Sequence, residues 1–130
     1  MLSPLAISRA LVLLVAVEHF YILVLEVFFW NTSRTRTVFG LSPEFAESTQ
    51  AMAANQGLYN GFLAAGLLWG VFHSRKSFGQ ELQLFFLICV IIAAIFGSLT
   101  IKDSIILLQG LPALAAFLMV LMGRRVAKKR

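Results

Sequence analysis

The sequence predicts an all-α fold, an integral membrane four-helix bundle with both termini cytoplasmic. Composition is the first reason: of 130 residues, 59% are hydrophobic, and the mean hydropathy is +0.85. A soluble domain of this size keeps much of its surface wet and cannot hide that much apolar surface, so lipid must cover it. The second reason is spacing. Apolar residues gather into four stretches, each near the roughly 20 residues that a spanning helix needs. Basic residues supply the third, because they crowd the connections that an even number of spans places on one side. The helices are expected at about 5–30, 43–73, 79–101 and 104–123, in a single transmembrane domain covering 1–130.

The first helix is built from Leu, Val, Ile, Phe and Ala around Glu18, His19 and Glu26. Its start lacks the basic region of a signal peptide, and no small-residue cleavage site follows before Glu18, so it is expected to remain in the mature protein. The segment 31–41 reads as an outward loop. Its Asn31-Thr32-Ser33 matches a glycosylation sequon, a three-residue pattern common by chance and given no weight. The second helix opens at Ser42-Pro43-Glu44, with Ser as N-cap, Pro at the first helical position and Glu in the first turn. It enters its apolar part near Ala51. The third helix carries the single cysteine, Cys89, which excludes an internal disulfide and reads as packing in an apolar setting. Asp103 or Ser104 can cap the fourth helix, and Pro112 within it frees a carbonyl and predicts a kink.

Charge sets the orientation. Arg9, Arg75, Lys76, Arg124, Arg125, Lys128, Lys129 and Arg130 fall on one side, whereas Arg34, Arg36 and Lys102 on the other are offset by Glu44, Glu47 and Asp103. The positive-inside rule puts the first side in the cytoplasm. Directly after an apolar helix, the C-terminal basic cluster reads as an anchor at anionic lipid headgroups and not as a nucleic-acid site.

Ionisable groups at membrane depth are costly and by default serve an ion, a proton or a substrate. His19 and Glu26 point within about 20° of each other at 100° per residue. Glu18 flanks that line and Trp30 continues it. The second helix answers with Asn55, Gln56, Tyr59 and Asn60, in which 55/59 and 56/60 are i,i+4 pairs. Gly57 and Gly61 form a small face opposite, open to close helix approach. Gln109 reaches about the depth of Glu26, and Ser98 and Thr100 lie near the same outer level. Glu18, His19, Glu26, Trp30, Asn55, Gln56, Tyr59, Asn60 and Gln109 are therefore the candidate ligand-binding residues, in the outer half of the bundle. The plainer alternative is that amides and hydroxyls here only fasten helices together, and for Ser98, Thr100 and Gln109 taken singly it is the preferred one.

Four segments carry a family resemblance: Val17-Glu18-His19-Phe20-Tyr21, Phe39-Gly40-Leu41-Ser42-Pro43-Glu44-Phe45, Ala53-Ala54-Asn55-Gln56-Gly57-Leu58-Tyr59-Asn60-Gly61 and Gln109-Gly110-Leu111-Pro112-Ala113-Leu114. Over nearly its whole length the chain resembles a family of small bacterial integral membrane proteins known as a domain of unknown function. The resemblance implies a four-span protein of the bacterial inner membrane, and no activity. Two analogies of site type go further. Glu18 is similar in position to the membrane-embedded Glu of small multidrug-resistance transporters, which binds protons and cationic drugs in turn, although here a second carboxylate and a His accompany it. The sterol-isomerase (emopamil-binding) group uses Glu, His, Asn and Trp on a lipid, with a different order and helix count.

Three functions follow. The first is binding or transport of a small, cationic ligand or of protons, with a homodimer as the assembly that a narrow four-helix bundle would need. The second is an intramembrane enzyme whose paired carboxylates divide acid and base roles on a lipid or isoprenoid. Metal binding ranks third, because adjacent Glu18 and His19 diverge by about 100° and no Glu-x-x-His pair exists. A structural membrane subunit is the remaining alternative. The expected partners are membrane lipids and a small-molecule or lipid ligand, and no cofactor is identifiable.

Overall fold

A computed structural model describes residues 3–128, with side chains to residue 126. Met1, Leu2 and, from the C-terminal basic cluster, Lys129 and Arg130 lie outside the described residues. Every regular element among the described residues is helical: α1 (Pro4–Phe28), α2 (Ser33–Phe39), α3 (Pro43–Phe72), α4 (Lys76–Thr100), a π-helical turn (Ile106–Gly110) and α5 (Leu111–Lys128). Three stretches are long and apolar enough to cross a membrane: Pro4–Phe28, Lys76–Thr100 and Ile106–Val126. This is the pattern of a membrane protein. At 30 residues α3 is longer than any of them, but Asn55, Gln56 and Asn60 interrupt its apolar part.

Helix ends follow their sequence signals. Pro4 opens α1 with the Ser3 hydroxyl accepting the Ala6 N–H at 3.2 Å. At the start of α3, the Ser42 hydroxyl accepts the Phe45 N–H at 3.1 Å, and Pro43 takes the first position, where no N–H is needed. Glu44 lies in that first turn outside the apolar segment. Its own backbone N–H, and then the Ser42 hydroxyl, hold its carboxyl below the ordinary value.

One sequence expectation needs correction. The segment 31–41 is not all loop, because Ser33–Phe39 forms α2. Thr32 caps it, and Gly40 ends it at φ +69°, a left-handed conformation that glycine adopts without strain. Arg36 steadies the turn by donating to the Asn31 carbonyl at 2.7 Å and to its side-chain oxygen at 3.0 Å. Just before Pro112 the helix takes a π turn, in which the Leu111 N–H reaches the carbonyl of Ile106, five residues back. Widening the helix here accommodates a proline that lacks an N–H and crowds the preceding turn.

The chain divides into two compact units. Unit one contains the described residues up to Glu18 and those from Leu63 onward. Its core joins Val12, Val15, Leu67, Leu87, Val90 and Val120, with Ala113 and Ala116 filling the narrow places. Within it α4 buries Gly79, Gln83, Leu87, Val90, Ala94 and Gly97, spaced by steps of three or four residues that keep one seam turned inward. Pairs at Gly110 with Ala94 and Gly97 with Ile105, and the Arg124–Glu81 ion pair at 3.1 Å, show α4 and α5 running antiparallel. The end of α3 and the start of α4 come together at Gly70 and Gly79, where no Cβ would fit, and the Gln83 side-chain amide donates to the Gly70 carbonyl at 2.9 Å. Unit two contains residues 19–62: the second half of α1, α2 and the first half of α3.

Candidate functional site

Unit two brings α1 and α3 together through residues without bulk. A Cβ on Gly57 would lie 2.8 Å from Glu26 Cβ and 2.9 Å from Val27 Cγ2, and one on Gly61 would run into Leu23. Both glycines therefore face α1, and bare backbone there permits the close approach typical of small-x-x-x-small faces. Asn60 borders that face. Its Nδ2 donates to Glu26 Oε2 at 2.9 Å and to the Gln56 carbonyl of its own helix at 3.3 Å. Glu26 is only 8% exposed, so its carboxyl sits among protein atoms with an amide, not a cation, as its hydrogen-bond donor.

His19 is buried at 1% exposure, on the α1 face that also carries Glu26. Trp30 is half-buried, donates its indole N–H to the Thr49 hydroxyl at 3.1 Å and stacks at a tilt on Phe39, with centroids 5.2 Å apart. Thr49 in turn donates to the Phe45 carbonyl at 2.6 Å. Trp30 thus ties the end of α1 to α2 and to the start of α3. Asn55, Gln56 and Tyr59 are exposed on α3, away from the glycine face. Glu18 and Gln109 are half-buried and belong to unit one, and Gln109 lies inside the π turn. Ser98 and Thr100 donate to Ile95 and Phe96 carbonyls of their own helix at 2.9 and 2.8 Å. Among the described residues, no group of three His, Cys, Asp or Glu is placed to hold a metal ion.

Residues 13–121, a span that holds every candidate from Glu18 to Gln109, match the family described as "Protein of unknown function (DUF1304)". The chain belongs to this family. It is also 41% identical over 108 residues to the uncharacterized protein YpaA of Lactococcus lactis subsp. lactis (strain IL1403), covering 82% of this chain and 89% of YpaA. No solved structure matches.

In this DUF1304 member, two parts of the polar framework escaped sequence reasoning. Thr49 lies ahead of the apolar run and carried no depth signal. Gln83 did carry one, an amide at the start of an apolar run, the same kind of signal that singled out Glu26. It is 5% exposed and fixes the α3–α4 turn.

Proposed function

We propose that this protein is a four-span inner-membrane protein, both termini cytoplasmic, whose Glu26–Asn60 pair binds a small cationic ligand or protons for binding or transport. One observation carries the reading: a glutamate at 8% exposure on a helix fit for lipid, its carboxyl held by the Asn60 amide. Isolated charge at membrane depth costs several kcal/mol unless it is paired or neutralised. An amide orients the carboxyl without neutralising it, so the group is left to meet a proton or a cation. His19 on the same helix face is a second titratable group. The amides and tyrosine exposed on α3 would orient a ligand, or a second copy of the chain in a homodimer.

Equilibrium binding of tetraphenylphosphonium to protein purified in detergent tests this. Glu26→Gln keeps the size and the oxygen that Asn60 bonds but removes the charge. Its expected effect is a loss of at least about tenfold in affinity, since losing one partner of a desolvated charge pair costs about 2 kcal/mol or more. Unchanged affinity in a folded Glu26→Gln protein, or no binding across a panel of organic cations, would refute the reading.

The exposure of Asn55, Gln56 and Tyr59 favours a second reading, acid–base chemistry on a lipid or isoprenoid that reaches α3 from the bilayer. Protein incubated with an isoprenoid lipid in deuterated water would then move deuterium onto the lipid. A lipid that stays unlabelled would exclude it.

A further inference from the structure

Unit one holds an open cavity of about 710 Å³ that shares no residue with the Glu26 site. Four segments line it: the start of α1, the end of α3, the start of α4 and the last turns of α5. Arg9, Lys76 and Arg124 contribute three cations, Arg124 while also paired with Glu81 at 3.1 Å, and no Asp or Glu is among the lining residues. Further polar groups stand beside them. The His73 Nδ1 lies 3.1 Å from the Arg75 backbone nitrogen and 3.3 Å from the Arg75 carbonyl oxygen, so the ring is held at the cavity edge by the backbone of the turn. Ser77 and Gln80 add a hydroxyl and an amide. Close contact at Gly70 and Gly79, locked by Gln83, fixes the turn that carries these groups. Leu5, Val71 and Val126 make the remaining wall apolar.

We infer that this cavity binds a phosphate ester. Its volume lies within the roughly 300–1,000 Å³ of small-molecule sites. Three cations reaching it from three different helices suit a tetrahedral anion, which offers oxygens in more directions than a planar carboxylate. The apolar wall suits the glycerol and acyl part of a phospholipid. One chemistry, a phosphate on a glycerol backbone, can come from an anionic lipid headgroup or from a soluble ester.

The test uses full-length protein in phosphate-free dodecyl maltoside, with dioleoylphosphatidylglycerol added to the micelles or glycerol 3-phosphate to the buffer. Saturable binding of about one molecule per chain is expected for at least one probe. Arg9→Gln and Lys76→Gln should each weaken it by about fivefold to tenfold, the loss of one cation facing an anionic headgroup. Both side chains are exposed, so the fold should survive, and an unchanged unfolding temperature checks this. Arg125→Gln is the control, because Arg125 is exposed near the same helix end, removes the same charge and does not line the cavity. It should change affinity by less than about twofold at 0.15 M salt. Lipid binding alone assigns the cavity to a headgroup, and equal binding of glycerol 3-phosphate assigns it to soluble esters. The inference is overturned if neither probe saturates, or if Arg125→Gln weakens binding as much as Lys76→Gln, which would mean diffuse attraction to a basic surface.

Discussion

Glu26 and Asn60 can meet because Gly57 has no side chain. A methyl at that position would press on the Cβ of Glu26 itself, 2.8 Å away, and on the Leu23 carbonyl at 3.3 Å. Neither can swing aside as the tip of a flexible side chain would. Gly57→Ala should therefore destabilise by about 1–3 kcal/mol, the usual cost of overpacking, and lower the unfolding temperature in detergent. Asn60→Ala should cost a similar amount for a different reason: it leaves a buried acceptor without its donor, about 1–3 kcal/mol. Replacing both partners in Glu26→Leu with Asn60→Leu separates fastening from function. A double variant as stable as the wild type that no longer binds cations would show that the pair is kept for ligand. At this scale the sequence was informative about residue types and less so about faces. Helical angle placed Gly57 and Gly61 opposite the amide stripe, as found. It did not show that the glycine face, with Asn60 at its border, turns toward α1 while Asn55, Gln56 and Tyr59 are exposed, because neighbour choice depends on how closely two backbones approach.

Among the elements, α3 shows how local chemistry and packing divide the work. Its start depends on Ser42 and Glu44. The Glu44 carboxyl is held below its ordinary pKa, so its contribution to stability is present above the ordinary carboxylate value and is lost as pH falls through the folded value. Ser42→Ala removes one donor and should move the Glu44 titration midpoint upward in a carbon-13 NMR titration; an unmoved midpoint would mean that the hydroxyl has no part in it. The far end of α3 depends on packing. A Cβ on Gly70 would lie 2.9 Å from both the Gln83 backbone nitrogen and the Gly79 carbonyl, whereas one on Gly123 meets nothing within 4 Å. Gly70→Ala should destabilise by about 1–3 kcal/mol. Gly123→Ala should be neutral or stabilising by up to about 1 kcal/mol, the helix-propensity difference. Thermal unfolding of the two variants side by side checks both. The capping signal at Pro43 was legible because it is local. The seven residues of α2 were not, since Ser33–Phe39 carries no apolar period and is fixed by Thr32 and Gly40 at its ends. Nor did Pro112 reveal whether its helix would kink at the proline or widen before it.

At the scale of the whole molecule, residue size is distributed as a membrane requires. The α4 seam buries Gly79, Ala94 and Gly97, whereas Phe85, Ile92, Phe96 and Leu99 are 61–81% exposed. Water would not tolerate that surface, and lipid would. Composition alone made this legible, because no arrangement of so short a chain could bury so much apolar area. The count of spans was harder to read, since the amides that mark the candidate site also dilute the apolar run of α3. Labelling can settle orientation. With Cys89 replaced by serine, Ser74→Cys and Lys102→Cys flank α4 and should react with an impermeant maleimide from opposite sides of sealed vesicles. Reaction from one side only would exclude α4 as a span. The central claim, that the buried carboxyl of α1 exchanges a proton for a ligand's charge, is tested most directly by counting protons. Purified protein in weakly buffered detergent solution should release protons as tetraphenylphosphonium saturates it, and Glu26→Gln should release none. Binding without proton release, or equal release from the folded Glu26→Gln variant, would contradict it.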